Sequence, residues 1–303
     1  MPTLARFAAM QRCPAMPADF FAVNGTVMPA AEARISVLDL GFLRGVGAFE
    51  TFRTYDGHPH GLAEHLRRIW ESAESFGQPP FFAEADVRRV VREIRERSGH
   101  AELRVNMVVT PGAHGDGVFG AVGEPTWVVI ARDVHAPPES AYQQGVAAVT
   151  FQAARHLPTL KTTSYLSGRK GLELAAKAGA HEAFYVDDKG YVTEGVTSNV
   201  LIRVGNRVMT PAVDCLPGIT KAGLRPIAEG LGLTWYECRI TRDDVYTADE
   251  VWITSAVREL LPIVRVDGRA IADGQVGPWA RRLRQSYRDH CIASAAAAAA
   301  RCR

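Results

Sequence analysis

The chain has 303 residues, 47% hydrophobic and 22% charged, a globular composition long enough for one large domain or two modest ones. Its 35 basic and 33 acidic residues leave a net charge of +2, so no global field calls for nucleic acid or an anionic membrane. The five cysteines form no C-x-x-C pair and have no metal-like spacing to histidine, which fits a reducing cytoplasm and offers no metal site.

Residues 1–20 lack a sustained hydrophobic segment and read as a variable N-terminal extension, not a signal peptide. No apolar run reaches membrane-spanning length. Phe21 to Met28 predicts a hairpin turning at Asn24-Gly25. "RISVLDLGFLRGVGAFETFRTYDG" follows, with a Gly-rich turn, the strand-like "AFETFRTY" and a second turn at Asp56-Gly57. Leu62, Leu66, Ile69, Trp70, Ala73 and Phe76 recur at helical spacing and predict a helix ending at Gly77. "FAEADVRRVVREIRERSG" predicts a second amphipathic helix, whose dense charges form a solvated face. "AELRVNMVVTPG" and "TWVVIARDV" read as strands, so residues 21–135 predict a small α+β domain.

Residues 136–148, with their Pro-Pro and small polar residues, read as an interdomain linker. Residues 149–303 predict a larger, β-rich α/β domain. Within it "SGRKGLELAAKAGA" is helical, Asp187-Asp188-Lys189-Gly190 is a turn between strands, and "NVLIRVGNRVMTP" is a hairpin. "GITKAGLRPIAEGLGL" starts a helix just after Pro217-Gly218, and "DEVWITSAVRELLPIVRVDG" holds two strands around a loop. "GPWARRLRQSYRDH" is the last helix, and "SAAAAAARCR" is a helix extension or a frayed tail.

Lysine is scarce, five against thirty arginines, and Lys161 is the one charge in "LPTLKTTSYL". Apolar surroundings lower an amine's pKa and make it nucleophilic, as in Schiff-base lysines. A lysine snorkelling from an edge strand has the same local pattern. Glu194 in "VTEGVTSN" lies between two strands and suits either a turn or a carboxylate that holds a protonated ring nitrogen. "LPGITK" opens a helix: Gly218 permits close backbone approach, and the N–H groups of Ile219 and Thr220 favour a phosphate. Thr220 as a helix cap is the other reading. Thr254 and Ser255, after a buried-looking strand, are further phosphate donors or a strand-end turn. Arg68 borders the apolar stripe of its helix and is either a forked phosphate donor or a surface arginine. Together these residues supply what pyridoxal phosphate needs: an amine, an acid for a ring nitrogen, and a phosphate cradle.

These residues sit in segments that follow a familiar order. "NGTVMPAAEARISVLDLGFLRGVGAFETFRTYDGHPHGLAEHLRRIWESA", "LKTTSYL", "EGVTSNVLI", "LPGIT" and "VDGRAIADGQVGPWARRLRQSY" resemble the class IV aminotransferases, the fold-type IV pyridoxal phosphate enzymes. The resemblance runs from Phe21 to His290. It implies a two-domain α/β fold with the cofactor in the interdomain cleft, and a homodimer in which a partner-chain loop completes each site. It makes Lys161 the Schiff-base lysine and proton shuttle, Glu194 the partner of the pyridine nitrogen, and Arg68, Ile219 and Thr220 phosphate ligands. Tyr165 corresponds to a tyrosine near the ring hydroxyl. In the "TSA" loop Ala256 stands where a phosphate-binding threonine is common, leaving its N–H with the hydroxyls of Ser255 or Thr254.

The family includes D-amino acid and branched-chain aminotransferases, (R)-amine transaminases and aminodeoxychorismate lyases. Phe49 in "GAFET" resembles the branched-chain enzymes and the lyases. The loop "GAHGDGVFG" lacks the Arg-x-His pair of the familiar D-amino acid enzymes. Arg44 in "GFLRG" and Arg104 in "ELRVNM" resemble a less common D-amino acid group, and would clamp carboxylates. The reading is an amino-acid:2-oxoacid aminotransferase that favours D-amino acids with 2-oxoglutarate. A branched-chain L-amino acid enzyme, the amine transaminase, the lyase and a non-catalytic pyridoxal phosphate carrier are the alternatives.

Overall fold

The computed structural model describes residues 19–113 and 123–301, with side chains as far as residue 297. Most of the N-terminal extension, Cys13, Cys302 and the "GAHGDGVFG" loop from His114 onward lie outside the described residues.

Strands β1 (Phe20–Val23) and β2 (Thr26–Pro29) form the predicted hairpin, and Asn24 and Gly25 turn it at φ 48° and 80°. Two left-handed central residues suit the twist of a tight hairpin. A short helix α1 (Leu40–Arg44) follows, where the sequence predicted only a turn. Asp39 caps it by accepting the Gly41 N–H, and Gly45 closes it at φ 69°. Then come β3 (Ala48–Tyr55), β4 (His58–Pro59), α2 (Leu62–Glu74), α3 (Glu84–Ser98), β5 (Leu103–Thr110) and β6 (Thr126–Asp133). The six strands make one antiparallel sheet in the order β2-β1-β6-β5-β3-β4.

One face of this sheet is covered by α2 and α3. Leu62, Leu66, Ile69 and Ala73 from α2 pack with Val87, Val90, Val91 and Ile94 from α3 over Phe52, Val105 and Met107. Each such larger side chain contributes about 1.5–3 kcal/mol by leaving water. The outer face of α3 carries i,i+4 pairs, Arg88 with Glu84 and Arg97 with Glu93, so its charges are a solvated face as predicted. Strand alternation puts Ala48, Glu50, Phe52 and Thr54 under the helices, and Phe49 and Thr51 on the opposite face. The same parity turns Arg104, Asn106 and Val108 of β5 to that opposite face.

The second half of the chain begins with α4 (Glu139–Gln144) and β7 (Val146–Gln152). Residues 136–148, expected as a bare linker, therefore contain a helix and the start of a strand. Tyr142 is 4% exposed and its hydroxyl donates to the Arg258 carbonyl, which anchors the segment. Next are α5 (Leu166–Lys177), β8 (Glu182–Val186), β9 (Tyr191–Gly195), β10 (Asn199–Val204), β11 (Arg207–Pro211) and α6 (Ile219–Gly230). The rest is β12 (Thr234–Cys238), β13 (Ile240–Thr241), α7 (Arg242–Tyr246), β14 (Glu250–Ser255), β15 (Glu259–Val266), β16 (Arg269–Ala270) and α8 (Pro278–Arg301). Helix α8 runs on through the Ala-rich tail, so that segment is a helix extension.

These strands form a mixed sheet in the order β12-β11-β10-β14-β15-β7-β8-β9-β13, with β16 on β15. Three of its neighbouring pairs are parallel, β15–β7, β7–β8 and β11–β12; the last two are connected through α5 and α6, because parallel strands need a crossover. Leu224 and Ala228 of α6 and Leu283 and Tyr287 of α8 pack with Leu201 and Trp252 of the sheet. That packing presents the first turn of α6 to the interior. Among the described residues no helix is long and apolar enough to cross a membrane.

Candidate active site

A cavity of about 790 Å³ opens between the two sheets. Phe49, Arg104 and Val108 come to it from the first sheet; Glu194, Asn199 and Thr254 come from the second. Its wall carries Lys161, Arg68, Arg104, Arg155 and Arg258, against Glu194 as the one acid among the described lining residues. Such a cavity selects anions.

Lys161 is half-buried and held by its backbone on both sides. Its N–H donates to Ser72 Oγ of α2 at 2.9 Å, and its carbonyl accepts the Phe49 N–H at 2.9 Å. Nζ sits 4.4 Å from the centre of the Phe49 ring. The amine is therefore in the cavity wall, not snorkelling from an edge strand. Burial pushes its pKa down to about 8; the Glu50 carboxylate opposes the shift, and the Arg68 and Arg155 guanidiniums reinforce it. Near neutral pH a useful fraction of this lysine is an uncharged nucleophile.

Glu194 lies inside β9, not on a turn; the turn is Val196 and Thr197. Its Oε1 accepts from Arg155 Nη1 at 2.6 Å and its Oε2 from the Leu216 N–H at 3.1 Å. Burial raises its pKa, against the pull of Arg155 and the Leu216 amide. Arg155 also donates to the carbonyls of Pro158 and Leu160, tying Glu194 to the loop that carries Lys161. Sequence reasoning missed Arg155. Its distance from the lysine is short, but nothing local marks its partner.

Two residues past Leu216, α6 begins without a side-chain cap: Gly218 occupies the cap position. Thr220 is the second helical residue, so it is not the cap. The N–H groups of Ile219 and Thr220 have no partner within the helix and stand at its positive end. Gly218 is sterically required, since a Cβ there would lie 1.8 Å from Asn199 Oδ1. Arg68 is 6% exposed, which excludes a surface arginine, and its Nη1 donates to the Pro217 carbonyl at 2.7 Å. Thr254 is 2% exposed, and among the described residues its Oγ1 has no hydrogen-bond partner. A buried hydroxyl without a partner costs stability unless a ligand supplies one. Ser255 Oγ accepts from Arg258 Nε at 3.0 Å, which leaves its hydrogen for another acceptor, and Ala256 follows in the same wall. These donors fit a phosphate.

Tyr165 stands at the start of α5, with its ring edge-on to Phe49 at 5.9 Å. Its hydroxyl donates to the Val196 carbonyl at 2.5 Å, and burial raises its pKa. Arg104 faces the cavity with Nε 3.4 Å from Asn106 Oδ1. Arg44 is the exception among the expected residues. It ends α1 on the exposed surface, donates to the Leu43 carbonyl and is not part of this chain's cavity wall. The two-arginine clamp is therefore not assembled within one chain.

A near-neutral lysine, a buried acid and an anion cradle in one cleft define a pyridoxal-phosphate-dependent transferase. The chain belongs to the class IV aminotransferases: Amino-transferase class IV matches residues 47–266. It is 33% identical over 88% of its length to a putative branched-chain-amino-acid aminotransferase of Methanocaldococcus jannaschii, covering 94% of that protein. It is 31% identical to a D-alanine aminotransferase of Bacillus licheniformis, over 90% of this chain and 97% of the relative. The crystal structure of a T.th. branched-chain amino acid aminotransferase with pyridoxamine 5'-phosphate superposes with a TM-score of 0.82 at 30% identity, over 90% and 93% of the two chains. The fold is thus the α/β fold of fold-type IV enzymes, the chain is an enzyme, and its cofactor is pyridoxal 5'-phosphate.

Proposed function

We propose that this aminotransferase moves amino groups between D-amino acids and a 2-oxo acid of the 2-oxoglutarate type. The observation that carries the 2-oxo acid part of the reading is Arg104, and the lean to D-amino acids follows the resemblance of Arg44 and Arg104 to a D-amino acid group. Strand parity turns the Arg104 guanidinium into a cavity whose only described lining acid is Glu194, so it is suited to a substrate carboxylate. The D-alanine aminotransferase relative supports the same direction. Arg44 enters through a homodimer: Val37 and Phe42 around it are 71% and 67% exposed, an apolar surface suited to a second copy. From there Arg44 reaches the neighbouring cavity.

In this reading Lys161 Nζ would hold the cofactor, and as a free amine it would move the proton at the substrate Cα. The bound cofactor supplies an electron sink for that carbon. Glu194 would hold the pyridine nitrogen, and Arg155 fixes the orientation of Glu194. Arg68, Thr254, Ser255 and the N–H groups of Ile219, Thr220 and Ala256 hold the phosphate. Gly218 would let the backbone approach it, Tyr165 would serve the ring hydroxyl, and Phe49 packs beside the Lys161 amine.

A second reading, a branched-chain L-amino acid aminotransferase, is favoured by the apolar Phe49 and Val108 in the wall and by the M. jannaschii and T.th. relatives. Half-reaction spectroscopy separates the two. Conversion of the pyridoxal to the pyridoxamine form by D-alanine or D-glutamate supports the first. Conversion by L-leucine or L-valine and by no D-amino acid establishes the second.

A further inference from the structure

Glu50 is fully buried under α2, away from bulk solvent. Its two oxygens are fully engaged. Arg68 Nε donates to Oε1 at 2.6 Å and Arg68 Nη2 donates to Oε2 at 2.8 Å. His65 Nδ1 stands 2.6 Å from the same Oε2. Burial alone would raise the Glu50 pKa, but the Arg68 guanidinium and then His65 bring it down to about 2. The carboxylate is thus ionised, and His65, whose own pKa burial lowers, donates to it through Nδ1–H.

This arrangement accounts for most of the Arg68 donors. Two N–H groups go to Glu50 and one Nη1–H goes to the Pro217 carbonyl. One N–H on each Nη is left, in the cavity wall beside the uncapped start of α6. A carboxylate behind this arginine weakens its net charge, so charge alone does not explain Glu50. Orientation does, because a bidentate pair fixes the guanidinium plane, and a fixed plane presents the remaining pair of donors without an entropic cost. His65, Arg68 and Ser72 lie along one face of α2. Ser72 Oγ donates to the Arg68 carbonyl and accepts the Lys161 N–H. One helix face therefore registers both the phosphate donors and the lysine backbone.

We propose that Glu50 is a positioning residue for the cofactor phosphate, holding Arg68 so that the site selects phosphorylated pyridoxal over its dephosphorylated form. The proposal rests on reading Arg68 as a phosphate ligand. The experiment strips the full chain of cofactor and titrates it with pyridoxal 5'-phosphate and with pyridoxal, following the visible absorbance of the bound form. In the wild type the phosphate form binds far more tightly. Glu50→Gln is expected to lower the affinity ratio about tenfold or more, with pyridoxal itself affected less than about threefold. Glu50→Asp keeps the charge but withdraws it by one methylene, and reads the same ratio if the Gln variant does not fold. In an Arg68→Met background, Glu50→Gln should then change the ratio no further. An unchanged ratio in the Glu50 variants, or equal weakening of both ligands, overturns the inference. An unchanged ratio in Arg68→Met overturns the reading of Arg68 itself.

Discussion

The two walls of the cavity are built differently. On the phosphate side the charged and amide side chains are anchored: Arg68 to Glu50 and Pro217, Asn199 Nδ2 to the Leu216 carbonyl, and Glu194 to Arg155 and the Leu216 amide. On the opposite wall Arg104 is exposed and its nearest described polar contact is the long one to Asn106. A pre-organised wall binds one ligand at low entropic cost, whereas a loosely held one accepts several. The contrast matches a family that shares one cofactor and includes relatives named for different substrates.

The sharpest break in the anchored region comes at Lys161. Lys161→Ala is expected to remove the visible absorbance of the bound cofactor and at least about a thousandfold of the transamination rate. Retained absorbance with retained turnover would move the chemistry elsewhere. Gly218→Ala comes next. The new Cβ collides with Asn199 Oδ1, so Asn199 must shift and its bond to Leu216 is strained. A loss of about 1–3 kcal/mol in unfolding free energy is expected, with weaker cofactor retention; chemical denaturation and cofactor titration measure the two.

On the adaptable wall, Arg104→Ala should raise KM for 2-oxoglutarate about tenfold or more while leaving cofactor affinity unchanged. Arg44→Ala should do the same only if the residue acts across a dimer. Mixing Lys161→Ala with Arg44→Ala subunits distinguishes the cases. In the hybrids the site that keeps Lys161 shows the wild-type KM if Arg44 serves the neighbouring site, and the raised KM of Arg44→Ala if it serves its own. The smallest effect concerns pH. With its pKa held near 8, the Lys161 amine loses its charge well below the usual lysine range. Cofactor incorporation into the stripped enzyme should therefore accelerate as pH rises to about 8 and then level off. A rise continuing to about pH 10 would indicate a solvated lysine.

Several features of the site were legible without coordinates. Lys161 was an amine in apolar surroundings, and "LPGIT" placed a small residue just before a helical period. Glu194 was legible as chemistry but not as structure, since it sits within β9 and not at a turn. Arg155, Glu50 and Arg258 were not legible, because their partners are distant in the chain. Arg155 meets Glu194 across 39 residues, and Arg68 meets Pro217 across 149. Residues 136–148 looked like a bare linker because the buried contact of Tyr142 with the Arg258 carbonyl leaves no local periodic signal.

By itself the sequence pointed to the cofactor class, since an amine, a carboxylate and a Pro-Gly helix start occur in segments whose order resembles one enzyme family. It also determined which residues of β3 and β5 share a face, because strand parity is local. Only the tertiary structure decided which face met the second sheet. That docking put Arg104 in the cavity and left Arg44 at the surface on α1. Whether a charge is buried beside its partner depends on contacts between segments far apart in the chain, and those contacts exist only once the sheets have packed.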